Sequence, residues 1–162
     1  MDDKRNMYIK MLDALLDNGY YDPSESYATQ NIEILEALNS DKEDYAGGFL
    51  FKTKSNHMYA SIQIDGKKDR FTLVARAPAL IENDDFNHVF INQFLQKHYS
   101  PLICLYKSDD ETSIISFEYC MFLPFNTDQV INMINWFDSV LVSFLSEYNN
   151  IVKQFKERQN VN

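Results

Sequence analysis

A chain of 162 residues with 45% apolar and 14% aromatic residues is long and oily enough to bury a core, and its aromatics exclude the disordered class. A formal net charge of −9 opposes phosphate backbones and anionic lipid, so neither nucleic acid nor membrane is expected as a partner. The same charge suits a soluble surface or a basic protein partner.

In chain order, Met7 to Leu16 reads as an amphipathic helix with Met7, Met11, Leu12, Leu15 and Leu16 on its apolar side. Asn18-Gly19 supplies a left-handed stop. Asp22-Pro23-Ser24 marks a turn. Thr29 to Leu38 follows, either a second helix on Ile32, Leu35 and Leu38 or an extended segment. Gly47-Gly48 then introduces a strand over Phe49 to Thr53, and Ser55-Asn56 turns the chain. A second strand has Met58, Ala60, Ile62 and Ile64 alternating with His57, Tyr59, Ser61 and Gln63. Asp65-Gly66 is a hairpin signal, Arg70 to Ala77 returns as a third strand, and Pro78 closes it.

Asp84 or Asp85 is the expected cap of a helix from Phe86 to His98, buried through Phe86, Val89, Phe90, Phe94 and Leu95. Ser100-Pro101 breaks it. Leu102 to Lys107 is a fourth strand, Ser108 to Glu111 an acidic turn, and Thr112 to Leu123 a long fifth strand. On that strand Ile115, Phe117, Tyr119 and Met121 share one face, opposite Ser116, Glu118 and Cys120. Pro124 ends the ladder. The last helix is well marked: Asn126 and Gln129 have capping-box spacing, with Phe125 and Val130 as a hydrophobic staple. Val130, Ile134, Phe137, Leu141, Phe144, Tyr148, Ile151 and Phe155 then recur at steps of three and four, a stripe able to cover a sheet.

This grouping predicts one α+β domain over residues 1–162, with a helical part at 1–45 and a fraying tail at 156–162. Its expected sheet is single, antiparallel and five-stranded, with helices packed on it in the order α(α)-βββ-α-ββ-α. No stretch of 18 apolar residues and no signal-peptide core is present, so a cytoplasmic chain is expected. The two cysteines, Cys104 and Cys120, read as free, half-buried core thiols, with a cross-strand disulfide left open.

Catalytic chemistry is not expected. His57, His88 and His98 are scattered, and ten residues put the last two on different helix faces. Asp109-Asp110-Glu111 lacks the glycine and distal glutamate of a calcium loop, and Gly47-Gly48 has no phosphate-binding context. No metal, cofactor or catalytic residue is therefore assigned. The residues with a functional reading are apolar. Met133, Trp136 and Val140 form a second strip beside the main stripe, which serves either the core or a partner. Met7 and Met11 suit a partner-facing groove wall, and Tyr59 lies on the other sheet face.

The element order resembles that of type III secretion chaperones and of the YbjN family. The local match to YbjN-like proteins runs over Val89-Phe90-Ile91-Asn92-Gln93-Phe94, then the hairpin around Asp109-Asp110-Glu111, then Asn126-Thr127-Asp128-Gln129-Val130. It departs at Leu95, where a second Asn often stands. The resemblance implies a small, acidic, cytoplasmic, non-enzymatic protein, often dimeric, with a secretion-chaperone-like fold. The function expected is a non-catalytic module that binds a polypeptide partner or itself. The alternatives are an acidic regulator or immunity-type inhibitor of one cognate protein, and a small-ligand sensor with an apolar pocket.

Overall fold

A computed structural model describes residues 2–20, 46–52, 59–65, 70–122 and 126–159. Within these, the backbone alone is described for 2–9, 46–50, 59–65, 70–71, 122 and 159. The elements are α1 (Asp2–Asp17), β1 (Ala46–Lys52), β2 (Tyr59–Asp65), β3 (Arg70–Pro78), α2 (Asp84–Lys97), β4 (Leu102–Lys107), β5 (Ser113–Phe122) and α3 (Thr127–Gln159). The expected piece at 29–38, the turns at 22–24 and 55–56, and the corner at 123–125 lie outside the described residues.

The chain is α+β, but the expectation of one five-stranded slab beneath the helices is corrected. Backbone pairing runs in the order β1-β2-β3-β5-β4, every neighbour antiparallel. The core, however, stands on a three-stranded antiparallel unit, β3-β5-β4. Leu73, Ala75, Ile103, Ile115 and Phe117 are its buried positions on the helix side. Of the β1 side chains that are described, Phe51 joins this core. The reason lies in the pairing: β5 is inserted between β3 and β4, so both run antiparallel to it and parallel to each other. α2 bridges those two strands, and the helix layer gathers over this unit.

Local signals explain the element ends. Asn126 and Gln129 form the expected capping box: the Gln129 N–H donates to Asn126 Oδ1 at 2.8 Å, and the Asn126 N–H donates to Gln129 Oε1 at 3.1 Å. At α2 the cap is Asn83, not Asp84 or Asp85. Its Oδ1 accepts from the Phe86 N–H at 3.0 Å, and both aspartates fall in the first turn, where carboxylates suit the helix dipole. α1 stops at Gly19, whose φ of 71° is cheap for a residue without a Cβ. Gly47 and Gly48 lie inside β1, opposite Ile64 and Gln63, rather than ahead of it. Asp65 is the last residue of β2 and pairs with Arg70, and the turn expected at Asp65-Gly66 lies otherwise outside the described residues.

The core centres on Phe144 of α3. Its ring meets Phe90, Phe94 and Phe117 edge-on, at centroid distances of 5.1, 5.0 and 4.9 Å. Edge-to-face pairs set the positive rim of one ring on the negative face of another, each adding about 0.5–1.5 kcal/mol beyond area burial. Val130, Ile134, Phe137, Leu141 and Tyr148 are buried along the same stripe, as its spacing predicts. On α2 the buried residues are Asn87, Phe90, Ile91 and Phe94. Val89, expected inside, is 56% exposed.

Candidate protein-binding surface

β4 is the terminal strand on its side of the sheet: it pairs with β5, and among the described residues no strand pairs with its other edge. Such an edge offers unpaired backbone N–H and C=O groups to an added strand. Alternation puts Leu102, Cys104 and Tyr106 on the face turned away from the helices. There Leu102 is 63% and Tyr106 39% exposed, whereas Ile103 points inward and is buried. The Arg76 guanidinium lies over the Tyr106 ring, 5.9 Å from its centroid. Buried Val74 and Ser116 continue this face, and the Ser116 hydroxyl donates to Glu118 Oε1 at 3.0 Å.

The N-terminal end of β4 meets the C-terminal end of α2. His98 stacks on Phe94 at 4.3 Å and its Nε2 is 2.9 Å from Glu147 Oε1, which ties α2 to α3. Beside this tie lies a groove of about 140 Å³ lined by Phe94, His98, Tyr99, Ser139, Val140 and Ser143. Tyr99 projects from its rim and is 97% exposed. A second depression, about 440 Å³, lies between residues Leu80 to Asn83 and Phe155 and Lys156.

Of the residues singled out from sequence, Met133, Val140 and Met11 belong to the core, at 8%, 8% and 1% exposure. Met133 and Val140 therefore widen the covering stripe, and a charge placed at Val140 acts through folding. Trp136 is half-buried and meets Tyr119 edge-on at 5.2 Å. The side chains of Met7 and Tyr59 lie outside the described residues. Of the two thiols, both free, Cys104 is half-buried as expected but Cys120 is exposed. Burial, and then the charge of Glu118, push the Cys104 thiol up.

Sequence reading missed the polar groups that hold the helix layer together. Asn87 is fully buried: its Nδ2 donates to the Ile81 carbonyl at 2.9 Å, and its Oδ1 accepts from the Tyr148 hydroxyl at 2.7 Å. That hydroxyl also accepts from the Leu80 N–H at 3.1 Å, and burial pushes the phenol up. Two residues and two backbone groups thus satisfy one another where water is shut out. Buried Ser113 plays a comparable part between β5 and the start of α2, donating to Asp84 at 2.6 Å while Lys107 Nζ donates to Ser113 at 2.8 Å and pairs with Asp84 at 3.0 Å. The Ser113 hydrogen bond first, and Lys107 next, hold the Asp84 carboxyl below its ordinary range. The only signal for Asn87 in the sequence is its place among the apolar residues of α2.

No family model and no curated protein matches the chain, so membership of the YbjN-like or secretion-chaperone families is not shown. Among solved structures it is similar to the Yersinia pestis type III secretion chaperone SycH, determined in complex with a stable fragment of YscM2. The two are 15% identical over 80% of this chain and 98% of that one, with a TM-score of 0.29. No helix among the described residues is long and apolar enough to cross a membrane.

Proposed function

We propose that this chain is a non-catalytic protein-binding module that takes up an extended polypeptide segment along β4. The observation that carries the reading is the outer edge of β4, which no strand among the described residues pairs, with Leu102 and Tyr106 exposed on the same face at alternate positions. An added strand gains main-chain hydrogen bonds from the edge and side-chain contacts from every second residue. The net charge of −9 favours a basic segment, chiefly by raising its rate of encounter.

The test is titration with a short synthetic peptide of alternating valine and lysine, beside a peptide of the same composition with its valines and lysines in blocks. Saturable binding of the first alone, weakened by salt and lost in the Leu102→Glu/Tyr106→Glu double variant at unchanged thermal midpoint, supports the reading. Equal binding of both peptides, or binding that survives the double variant, overturns it.

A further inference from the structure

A sheet edge that must not recruit another strand is commonly guarded by a charged side chain, lysine above all. β4 has one charged residue, Lys107, and its charge is turned away from the outer edge. Lys107 pairs with Ser113 of β5, and its Nζ lies on that inner side, 2.8 Å from the Ser113 hydroxyl and 3.0 Å from Asp84 Oδ2. Asp84 is itself held: it stands in the first turn of α2 behind the Asn83 cap, and buried Ser113 donates to its Oδ1 at 2.6 Å. The ammonium is thus drawn back over β5 and paired there.

The opposite face of the sheet repeats the arrangement. Tyr106 is the large side chain at this end of β4, and the Arg76 guanidinium lies 5.9 Å from its ring centroid. Arg76 belongs to β3, and β5 runs between the two strands. Neighbouring strands stand about 4.8 Å apart, so the two side chains lean toward each other across β5. Both long side chains at the end of β4 are therefore folded inward, one over each face, and the backbone margin between them stays clear. An unpaired lysine at that margin would oppose a basic segment; a paired one does not.

We propose that Asp84 is a positioning residue for this edge: by drawing the Lys107 ammonium back over β5, it admits a positively charged segment that the unpaired lysine would turn away. The inference rests on the peptide-binding reading of β4 and names the group that sets its charge preference.

Titration of the full chain with the alternating valine–lysine peptide tests it, in the wild type, Asp84→Ala, Lys107→Met and the double variant. Asn83 and Asp85 still mark the start of α2 in all four, so helical circular dichroism is expected to be unchanged. Asp84→Ala frees the ammonium and raises the dissociation constant by about fivefold, the effect of one unit charge on another at close range in water. In the Lys107→Met background the same substitution costs little, since no ammonium is left to release. An alternating valine–threonine peptide of the same length responds to Asp84→Ala in neither background. An Asp84→Ala penalty that is equal in both backgrounds makes Asp84 one more contribution to the acidic field, and overturns this inference while the β4 reading stands. A wild type that binds neither peptide overturns both.

Discussion

α3 is held on its two flanks by different chemistry. Toward α2 the joint is aromatic and dense: Phe90, Phe94, Phe144 and Tyr148 interlock, and the buried Asn87 fastens Tyr148 and the 80–81 backbone. Toward α1 the described contacts are mainly aliphatic. Met11 and Leu15 supply the apolar contact, and Tyr20 reaches across to give its hydroxyl to Asn135 while its ring meets Phe51 edge-on at 5.9 Å. The lesson is that one helix can be seated by interlocking rings on one side and by aliphatic packing on the other, so that equal burial is reached by different geometry.

Breaking the dense flank has the largest expected effect. Phe144→Ala leaves a void where four rings met and costs about 3–5 kcal/mol, read as a fall in the midpoint of chemical unfolding. Met11→Ala on the other flank costs about 2 kcal/mol, the low end for such a truncation. Native-state hydrogen exchange sharpens the contrast: Met11→Ala releases α1 amides ahead of the rest, whereas Phe144→Ala lowers protection everywhere. Tyr148→Phe keeps the ring but strips a partner from Asn87 Oδ1 and the Leu80 N–H, costing about 1–3 kcal/mol. Asn126→Ala, at the capping box, costs about 1 kcal/mol and shows as fraying of the first turn of α3.

Proton binding distinguishes the flanks most finely. Burial raises the Tyr148 phenol; burial first, then the charge of Asp138, raises that of Tyr20. Both folded values lie above the unfolded one, so the stability they contribute is complete below the ordinary tyrosine range. It is lost as pH climbs through the raised values. Near-ultraviolet absorbance during alkaline titration should show two late phenols. Asp138→Asn should bring the Tyr20 phenol earlier and leave that of Tyr148 in place.

What sequence disclosed was local. Alternation along Ile115, Phe117 and Tyr119 and the three-and-four spacing of α3 are properties of neighbours on one element, and both reappear in the burial. The capping box is local as well. Three-dimensional partners were not legible. Val89 fits an apolar series yet faces solvent, because α2 turns Asn87 and Ile91 inward and that rotation is set by Tyr148, 61 residues away. Nothing near Asn83 says that it outcompetes Asp84 as a cap. Tyr99, next to a helix-breaking Ser-Pro, reads as loop filling, and its exposure emerges only once α2 has ended at His98. The meander of the first three strands and the hairpin of the last two follow from chain order, but the placing of β5 beside β3 was hidden, since the composition of either late strand could lie there.

Because β5 lies between β3 and β4, the middle of the sheet cannot close in the order in which the ribosome delivers it. β3 emerges early and waits with a bare margin through the synthesis of α2 and β4, until a strand that arrives late slides in beside it. The nascent chain is therefore most exposed to mispairing during that interval, and α3, translated directly after β5, is the element that seals it.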